Sequence, residues 1–292
     1  MQPRRRFTIA LPGGKSLALG DRTYVMGVVN LTPDSFSDGG LLRGQAAAVE
    51  AAVAMVEAGA DLIDVGGEST RPGATPVPAD VERARVLPVI EALAARMSIP
   101  LSVDTYKASV ADAALGAGAS IVNDISGLRY DPALADVTAR HGAAIVLMHT
   151  RGRSSDMYRE ATYHDVVAEI LDELRESIAF ATAAGVPRGH IMVDPGLGFA
   201  KEAAHSYEAL AGAGDLAELG LPLLIGPSRK SFLTKPLGRT VAPHDRDWAT
   251  AAAVTAAILA GAHIVRVHAV AEMVQVARVA DEIRRYYQTR ES

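Results

Sequence analysis

The sequence predicts a closed barrel of parallel strands, each followed by a helix, from three observations. Short apolar segments alternate with Ala-rich amphipathic segments along nearly all of the 292 residues. The alternation repeats eight times, which is the strand count of an α/β fold of the (β/α)8 TIM-barrel type. A glycine follows many of the amphipathic segments, as is typical of helix C-termini. A doubly wound open sheet is the alternative, but it usually has fewer strands, and no G-x-G-x-x-G follows the first strand here.

An extension precedes the predicted barrel. Residues 7–9 and 16–19 are strand-like segments that flank Pro12-Gly13-Gly14, which predicts a β-hairpin within residues 1–22. The predicted barrel strands are residues 24–29, 62–65, 101–103, 120–122, 144–148, 191–193, 223–225 and 264–267. The predicted helices are residues 46–58, 79–96, 108–117, 132–141, 163–184, 206–217, 249–260 and 271–285. Because no linker or low-complexity tract interrupts the pattern, we expect one domain over residues 1–292.

The composition excludes several functional classes. The 29 basic residues are balanced by 34 acidic ones, which argues against a nonspecific nucleic-acid surface. The chain has no cysteine, so disulfides, thiolate metal sites and cysteine nucleophiles are excluded. Residues 1–10 carry three arginines but no long apolar run follows, so neither a signal peptide nor a membrane helix is predicted. We therefore expect a cytoplasmic protein with no nucleic-acid or membrane partner.

Polar side chains follow every predicted strand at the same end. In chain order these are Asn30, residues 66–73, Asp104, Asn123-Asp124, His149, Asp194, residues 228–230, and Arg266 with His268. Helix and strand capping explains single Asp, Asn and Ser residues at such places, but it does not require Lys or Arg. Active sites of these barrels are built at the C-terminal ends of the strands, so this end is the predicted site.

The predicted site has an acidic part and a cationic part. Asp104, Asn123 and Asp194 offer acceptors that suit a planar ligand with a row of N–H donors, such as an aminopyrimidinone edge. Four cationic residues suit phosphate or carboxylate groups: Arg71, Arg229, Lys230 and Arg266. A helix that starts at residues 228–230 would also present free N–H groups to an anion.

The first strand of the barrel is followed by an unusual loop. Residues 31–40 are dense in carboxylates, hydroxyls and glycines, and they include Phe36. This composition indicates a mobile loop that handles a ligand.

These motifs resemble those of the dihydropteroate synthases, the folate-pathway enzymes that sulfonamides target. The segments that match are 27–40, 64–73, 102–105, 123–127, 147–152, 194–199, 226–233 and 266–268. The most specific are Gly-Gly-Glu-Ser-Thr-Arg-Pro-Gly, Asp-Pro-Gly-x-Gly-Phe and Ser-Arg-Lys; Pro227 is a departure that leaves the last motif intact. The resemblance implies that 6-hydroxymethyl-7,8-dihydropterin diphosphate loses diphosphate by ionisation and that the amine of p-aminobenzoate takes its place.

The resemblance also implies roles for the pterin site. Asp194 and Asn123 would pair with the pyrimidine edge, and Asp104 would face the other ring edge and favour the developing cation. Lys230 would bind the pterin carbonyl or a ring nitrogen, and Arg266 would stack on the ring and reach toward the diphosphate. The pocket would be completed by Met148, Gly226 and Phe199.

A second set of implied roles concerns the leaving group and the amine substrate. Asn30, Arg266 and His268 would hold the diphosphate, with Mg²⁺ as the expected cofactor and Asn30 as its protein ligand. The p-aminobenzoate pocket would be formed by Phe36, Thr70, Arg71, Pro72, Phe199 and Lys230, with Ser228 at the carboxylate. Asp34 and Arg71 would lock the loops and complete a catalytic set with Asp104 and Lys230. The family also suggests a homodimer through the outer helices.

Two other functions remain open at this point. A methyltetrahydrofolate methyltransferase would share the pterin cradle of two Asp and one Asn. It would not need the loop with Phe36 or the set of Lys230, Arg266 and His268, so these features favour the synthase. A non-catalytic pterin-binding barrel is the other alternative, but no motif position is degraded.

Overall fold

A computed structural model describes residues 4–32, 40–71, 73–239 and 241–290. Its first element is an antiparallel hairpin of β1 (Phe7–Ala10) and β2 (Ser16–Leu19), as predicted. The following strands are β3 (Tyr24–Asn30), β4 (Leu62–Gly66), β5 (Leu101–Asp104), β6 (Ile121–Asp124), β7 (Ala144–Met148), β8 (Ile191–Asp194), β9 (Leu224–Ile225) and β10 (Ile264–Val267).

These eight strands form one parallel sheet in the order β8-β7-β6-β5-β4-β3-β10-β9. Leu223, just before β9, makes a parallel bridge to Val193 of β8. This bridge joins the two edges of the sheet and closes the barrel. The predicted (β/α)8 TIM barrel with an N-terminal hairpin is confirmed.

The helices are α1 (Gly40–Glu57), α2 (Ala79–Arg96), α3 (Ala108–Gly116), α4 (Ala133–His141), α5 (Val166–Ala183), α6 (Ala203–Ala211), α7 (Asp247–Ala260) and α8 (Val270–Arg290). Helix α5 begins three residues later than predicted, because the Asp165 carboxylate caps it by accepting from the amides of Val167 and Ala168. The helix predicted over 206–217 is two elements: α6, and a 3₁₀ helix over Ala213–Leu219.

Two apolar clusters explain which end of the barrel is open. The larger one consists of side chains from the strands and from the helices that pack on them. Strands that are covered on both faces in this way are apolar along their whole length. The smaller one joins Ile9, Leu17 and Leu19 of the hairpin to residues near the starts of the strands, among them Leu62 and Ile121. The hairpin therefore covers the N-terminal end of the barrel, and the C-terminal end remains as the open mouth.

The parallel register places the predicted polar residues side by side at this mouth. Gly66 is paired with Asp104, Asp104 with Asn123, and Met148 with Asp194. In the described part of the chain, no helix combines the length and the apolar character that crossing a bilayer requires.

Candidate active site

A buried ion-pair network joins four strands at the mouth. Arg266 of β10 donates from Nε to Asp64 Oδ2 of β4 and from Nη2 to Asp104 Oδ2 of β5, each over 2.6 Å. Asn123 of β6 donates from Nδ2 to the same Asp64 oxygen over 2.9 Å. Asp64 thus joins two predicted site residues, Arg266 and Asn123, and Arg266 joins the third, Asp104; Asp64 itself was not predicted. The signal in the sequence was a carboxylate within the otherwise apolar segment 62–65, because a buried charge requires a partner.

The network controls the charge of its members. Burial raises the pKa of Asp104 to about 7, with Arg266 opposing the shift and Asp64 adding to it. Burial would lower the pKa of Arg266, but Asp64 and Asp104 raise it above its usual value. The guanidinium therefore stays charged, while the Asp104 carboxyl titrates close to neutrality.

Asp194 and Lys230 form the second part of the site. Asp194 ends β8, and its Oδ1 accepts from the Gly196 amide over 2.7 Å; burial raises its pKa. Lys230 donates from Nζ to the Leu197 carbonyl over 2.6 Å and lies 3.8 Å from the centroid of the Phe199 ring. Burial lowers the pKa of Lys230 to about 7, although Asp194 opposes the shift. A partly buried ammonium on an aromatic face is a favourable arrangement.

Glycines lie beside both cations of the site. A Cβ on Gly198, where φ is +75°, would lie 3.1 Å from Lys230 Cδ. A Cβ on Gly226 would lie 3.6 Å from Cβ of Arg266, which is an ordinary contact. Met148 is buried at the end of β7 beside Asp194. The predicted positions Met148 and Gly226 are therefore both at the mouth.

Ser228, His268 and Asn30 line another part of the mouth. Ser228 Oγ lies 2.9 Å from His268 Nδ1 and also accepts from the His268 amide over 3.2 Å. Asn30 is exposed at the end of β3, with Nδ2 3.5 Å from His268 Nε2. Burial, and then the nearby Arg266 and Arg229, lower the pKa of His268 to about 3. His268 is therefore a neutral hydrogen-bonding group near pH 7.

Arg229 does not join the other cations. Its φ is +60°, and its Nε and Nη2 atoms donate to the two carboxylate oxygens of Asp247, each over 2.8 Å. This bidentate pair points the guanidinium at the start of α7, so the expected anion-binding use of Arg229 is not supported. The helix expected at residues 228–230 is a 3₁₀ helix over Ser231–Leu237. The role of Ser228 at a carboxylate stays a prediction.

The loop after β4 is fixed at its base. The Glu68 carboxylate accepts from Lys107 Nζ over 2.5 Å, from the Tyr106 hydroxyl over 2.9 Å and from the Val77 amide over 2.8 Å. Farther along the loop, the Gly73 amide donates to the Ser154 carbonyl over 2.8 Å. These contacts hold the loop above the barrel mouth.

The other predicted loop residues divide into two groups. Thr70 is half-buried, and Arg71 is exposed but close enough to His268 to contribute to its lowered pKa. The remaining three lie outside the described residues: Asp34, Phe36 and Pro72.

The expected Mg²⁺ would have few protein ligands. The described residues contain no group of three or more His, Asp or Glu side chains that could hold a metal ion. Asn30 offers one amide oxygen beside the mouth, which suits an ion held mainly by phosphate oxygens and waters. The residues present are therefore compatible with a substrate-bound Mg²⁺, and Asn30 as its ligand stays a prediction.

Comparisons with known proteins agree with this geometry. Residues 26–268 match the family of pterin binding enzymes. The dihydropteroate synthase of Synechocystis sp. is 46% identical over 278 residues, which are 95% of this chain and 96% of the relative.

Solved structures match over the whole barrel. A Xanthomonas albilineans dihydropteroate synthase with 4-aminobenzoic acid is 44% identical, with a TM-score of 0.87 over 94% of this chain and 98% of that one. The Yersinia pestis dihydropteroate synthase in a sulfonamide drug complex is 40% identical, with a TM-score of 0.88 over 95% and 99%. The chain belongs to the dihydropteroate synthase family of pterin binding enzymes, transferases of folate biosynthesis.

Proposed function

We propose that this chain condenses 6-hydroxymethyl-7,8-dihydropterin diphosphate with p-aminobenzoate to give 7,8-dihydropteroate and diphosphate. One observation carries the proposal: the buried network of Asp64, Arg266, Asp104 and Asn123 lies at the same barrel mouth as Asp194. A mouth with fixed acceptors and an adjoining cation suits a flat, N–H-rich ring attached to an anionic leaving group.

Recognition of the pterin is assigned to Asp194 and Asn123. Because Asn123 Nδ2 donates to Asp64, its amide oxygen is directed away from that carboxylate and can accept from a pterin N–H. Asp194 is held by the Gly196 amide through one oxygen, which leaves the other for the pyrimidine edge. Buried acceptors of this kind favour a ring that carries matching donors, since a ring without them would leave the acceptors unpaired.

Ionisation is assigned to the acidic side of the mouth. The bond between the pterin methylene carbon and the diphosphate oxygen breaks, and the electron pair leaves with the diphosphate. The Asp104 carboxylate, held by Arg266, favours the cation that remains. Groups that act on charge appearing in the transition state lower the barrier more than groups that bind the ground state equally well.

The leaving diphosphate is assigned to the side formed by Arg266, His268 and Asn30. Arg266 supplies positive charge. The neutral ring of His268 and the side-chain amide of Asn30 supply hydrogen-bond donors without charge. Bound Mg²⁺ would neutralise charge on the diphosphate and make it a better leaving group.

The amine substrate is assigned to the side formed by Phe199 and Lys230, together with Thr70 and Arg71 of the loop after β4. The amine nitrogen forms a bond to the methylene carbon and releases a proton. Phe36 and Pro72 belong to this pocket from the sequence alone, and Asp34 belongs, also from the sequence alone, to the residues that would lock the loops. Sulfonamides resemble p-aminobenzoate, so we expect them to compete for this pocket.

A homodimer is a further part of the proposal. Helix α8 exposes a row of large apolar side chains, namely Val279, Ile283, Tyr286 and Tyr287. An exposed apolar row of this kind is typical of a protein interface. Sedimentation would show a dimer that Ile283→Asp weakens. The cytoplasmic location stays a prediction that cell fractionation would test.

The activity is tested by incubating the purified chain with both substrates and Mg²⁺ and measuring dihydropteroate by mass spectrometry. We expect product with the unaltered chain and almost none with Asp194→Ala, while the exposed control Asp172→Ala stays active. Absence of product from the unaltered folded chain would contradict the proposal. Methyl transfer from methyltetrahydrofolate in its place would favour the methyltransferase alternative.

A further inference from the structure

Lys201 is a buried lysine that none of the steps above uses. Only 1% of the Lys201 surface is exposed to solvent. The Nζ atom lies 2.8 Å from His149 Nδ1, 3.1 Å from the Phe199 carbonyl oxygen and 3.4 Å from the His149 carbonyl oxygen. An ammonium has three N–H donors, so these three acceptors satisfy it completely.

The far side of the His149 ring faces a carboxylate. His149 Nε2 lies 3.2 Å from Glu173 Oε2 of α5. Burial lowers the pKa of His149 to about 4, so the ring is neutral near pH 7. A neutral ring that accepts at Nδ1 carries its proton at Nε2, where it faces Glu173. The imidazole therefore lies between Lys201, whose pKa burial lowers against the attraction of Asp194, and the Glu173 carboxylate.

Lys201 ends a strained turn that starts after Asp194. Backbone φ is positive at every second residue: +69° at Gly196, +75° at Gly198 and +46° at Ala200. The left-handed region is unfavourable for Ala200, which has a Cβ, so tertiary contacts must maintain it. Two such contacts are the bond from the Tyr163 hydroxyl to the Ala200 carbonyl and that from the Gly198 amide to Ser206 Oγ. Lys201 adds a third contact at the end of the turn.

The same turn carries two groups of the site. The Leu197 carbonyl accepts from Lys230 Nζ, and the Phe199 ring lies under that ammonium. Lys201 holds the Phe199 carbonyl and, on the opposite side, the backbone and ring of His149. A displacement of the turn would therefore move both contacts of Lys230 together.

We propose that Lys201 is a positioning residue, whose buried ammonium ties the turn to His149 and so fixes Phe199 and Lys230 as the wall against which the aromatic amine binds. This inference rests on the proposed function. The pterin acceptors depend less on Lys201, because Asp194 lies on strand β8 and Asn123 on strand β6, outside the turn. Loss of Lys201 should consequently affect the amine substrate more than the pterin.

The test compares Lys201→Met, which removes the donors, with Lys201→Gln, which keeps an amide donor without the charge. Lys235→Met is the matched control, since Lys235 is exposed on the 3₁₀ helix after Lys230. For Lys201→Met we expect the KM for p-aminobenzoate to rise about tenfold or more, because a small displacement of the groups that position a substrate has a large effect on its use. The Kd for the pterin diphosphate, measured by calorimetry, should change less than about threefold, and Lys201→Gln should be intermediate.

Equal losses for both substrates would contradict the proposal, because they would indicate a general structural role. Unchanged kinetics in a folded Lys201→Met protein would contradict it too. If Lys201→Met does not fold, Lys201→Gln and the ¹⁵N resonances of the histidine rings decide. We expect the His149 ring to be protonated at Nε2 in the unaltered chain and its Nδ1 resonance to shift in Lys201→Gln, whereas the His263 ring should not change; the absence of a shift at His149 would overturn the proposal.

The outcomes remain separable from those of the proposed function. Failure of the unaltered chain to make dihydropteroate would refute the function. The ¹⁵N shifts and the calorimetric binding of p-aminobenzoate would still report on Lys201.

Discussion

The Asp64→Asn substitution isolates the network that holds the acidic side of the mouth. Asp64 is fully buried, and its Oδ2 atom accepts hydrogen bonds from both Arg266 Nε and Asn123 Nδ2. Asparagine has almost the same shape but no charge. Its amide oxygen can accept from both donors in place of the carboxylate oxygen, but it cannot balance the charge of the guanidinium.

The size of the effect follows from what remains around Arg266. Removing one partner of a buried ion pair costs about 3–5 kcal/mol when the other charge is left alone. Here Asp104 stays 2.6 Å from Arg266 Nη2, so the cost should be roughly half of that, about 2 kcal/mol. For a chain of 292 residues, with an unfolding entropy of about 2.1 cal/mol/K per residue, this corresponds to a decrease in Tm of roughly 3 °C. Because Arg266 then turns toward Asp104, kcat/KM should fall by about 100-fold.

The assays are thermal unfolding and steady-state kinetics with both substrates. Glu50→Gln is the control, because its ion pair with Arg96 is exposed and surface pairs contribute less than about 1 kcal/mol. An Asp64→Asn protein with the Tm and kcat/KM of the unaltered chain would refute the idea that Asp64 organises the site.

Three more predictions follow from the charges and the backbone. The profile of kcat/KM against pH should be bell-shaped around pH 7, because Lys230 is charged only below its pKa and Asp104 only above its own; Lys230→Gln should lose the alkaline limb, and an unaltered profile would contradict this assignment. Gly196→Ala should greatly reduce the yield of folded protein, because its Cβ would lie 2.0 Å from a carbonyl oxygen, whereas Gly189→Ala meets no atom and should have little effect; equal yields would refute this. The free energy of unfolding should decrease as pH falls below 6.5, since the unfolded chain then binds protons that the buried rings of His149, His263 and His268 do not, although Asp104 and Asp124, whose pKa values burial raises to about 7 and about 6, oppose the change. Urea titrations should therefore show a net decrease of roughly 1.4 kcal/mol per pH unit between about pH 6 and pH 5, and a flat profile there would contradict it.

Most of the fold was predictable because the pattern is local. Strands covered on both faces must be apolar, and helices that cover them must be amphipathic, so the alternation is visible along the chain. Helix ends were less predictable, because they depend on neighbours. Gly212, which separates α6 from the following 3₁₀ helix, has no room for a Cβ, since it would lie 2.5 Å from Val167 of α5.

The rim of the site was predictable for a related reason. Parallel strands of a barrel bring their C-terminal ends together, so Asp104, Asn123 and Arg266 were expected to meet, and they do. What the sequence did not show is the pairing. Arg266 and Asp64 are 202 positions apart, and the partner of a buried charge is set by tertiary structure.

Two cations show the limit of sequence reasoning more clearly. Arg229 stands in a specific motif and was expected to serve an anion, but its positive φ turns it toward Asp247. Lys201 follows another motif and drew no attention, because lysine is ordinarily exposed. Only the folded turn shows that its ammonium has three acceptors.

A crystal structure of the chain with bound 7,8-dihydropteroate would test the central claim most directly. We expect the pyrimidine edge within hydrogen-bond distance of Asp194 and Asn123, with the aminobenzoate ring beside Phe199 and Lys230. A product bound outside this mouth, or inside it with its pyrimidine edge turned away from both acceptors, would contradict the account.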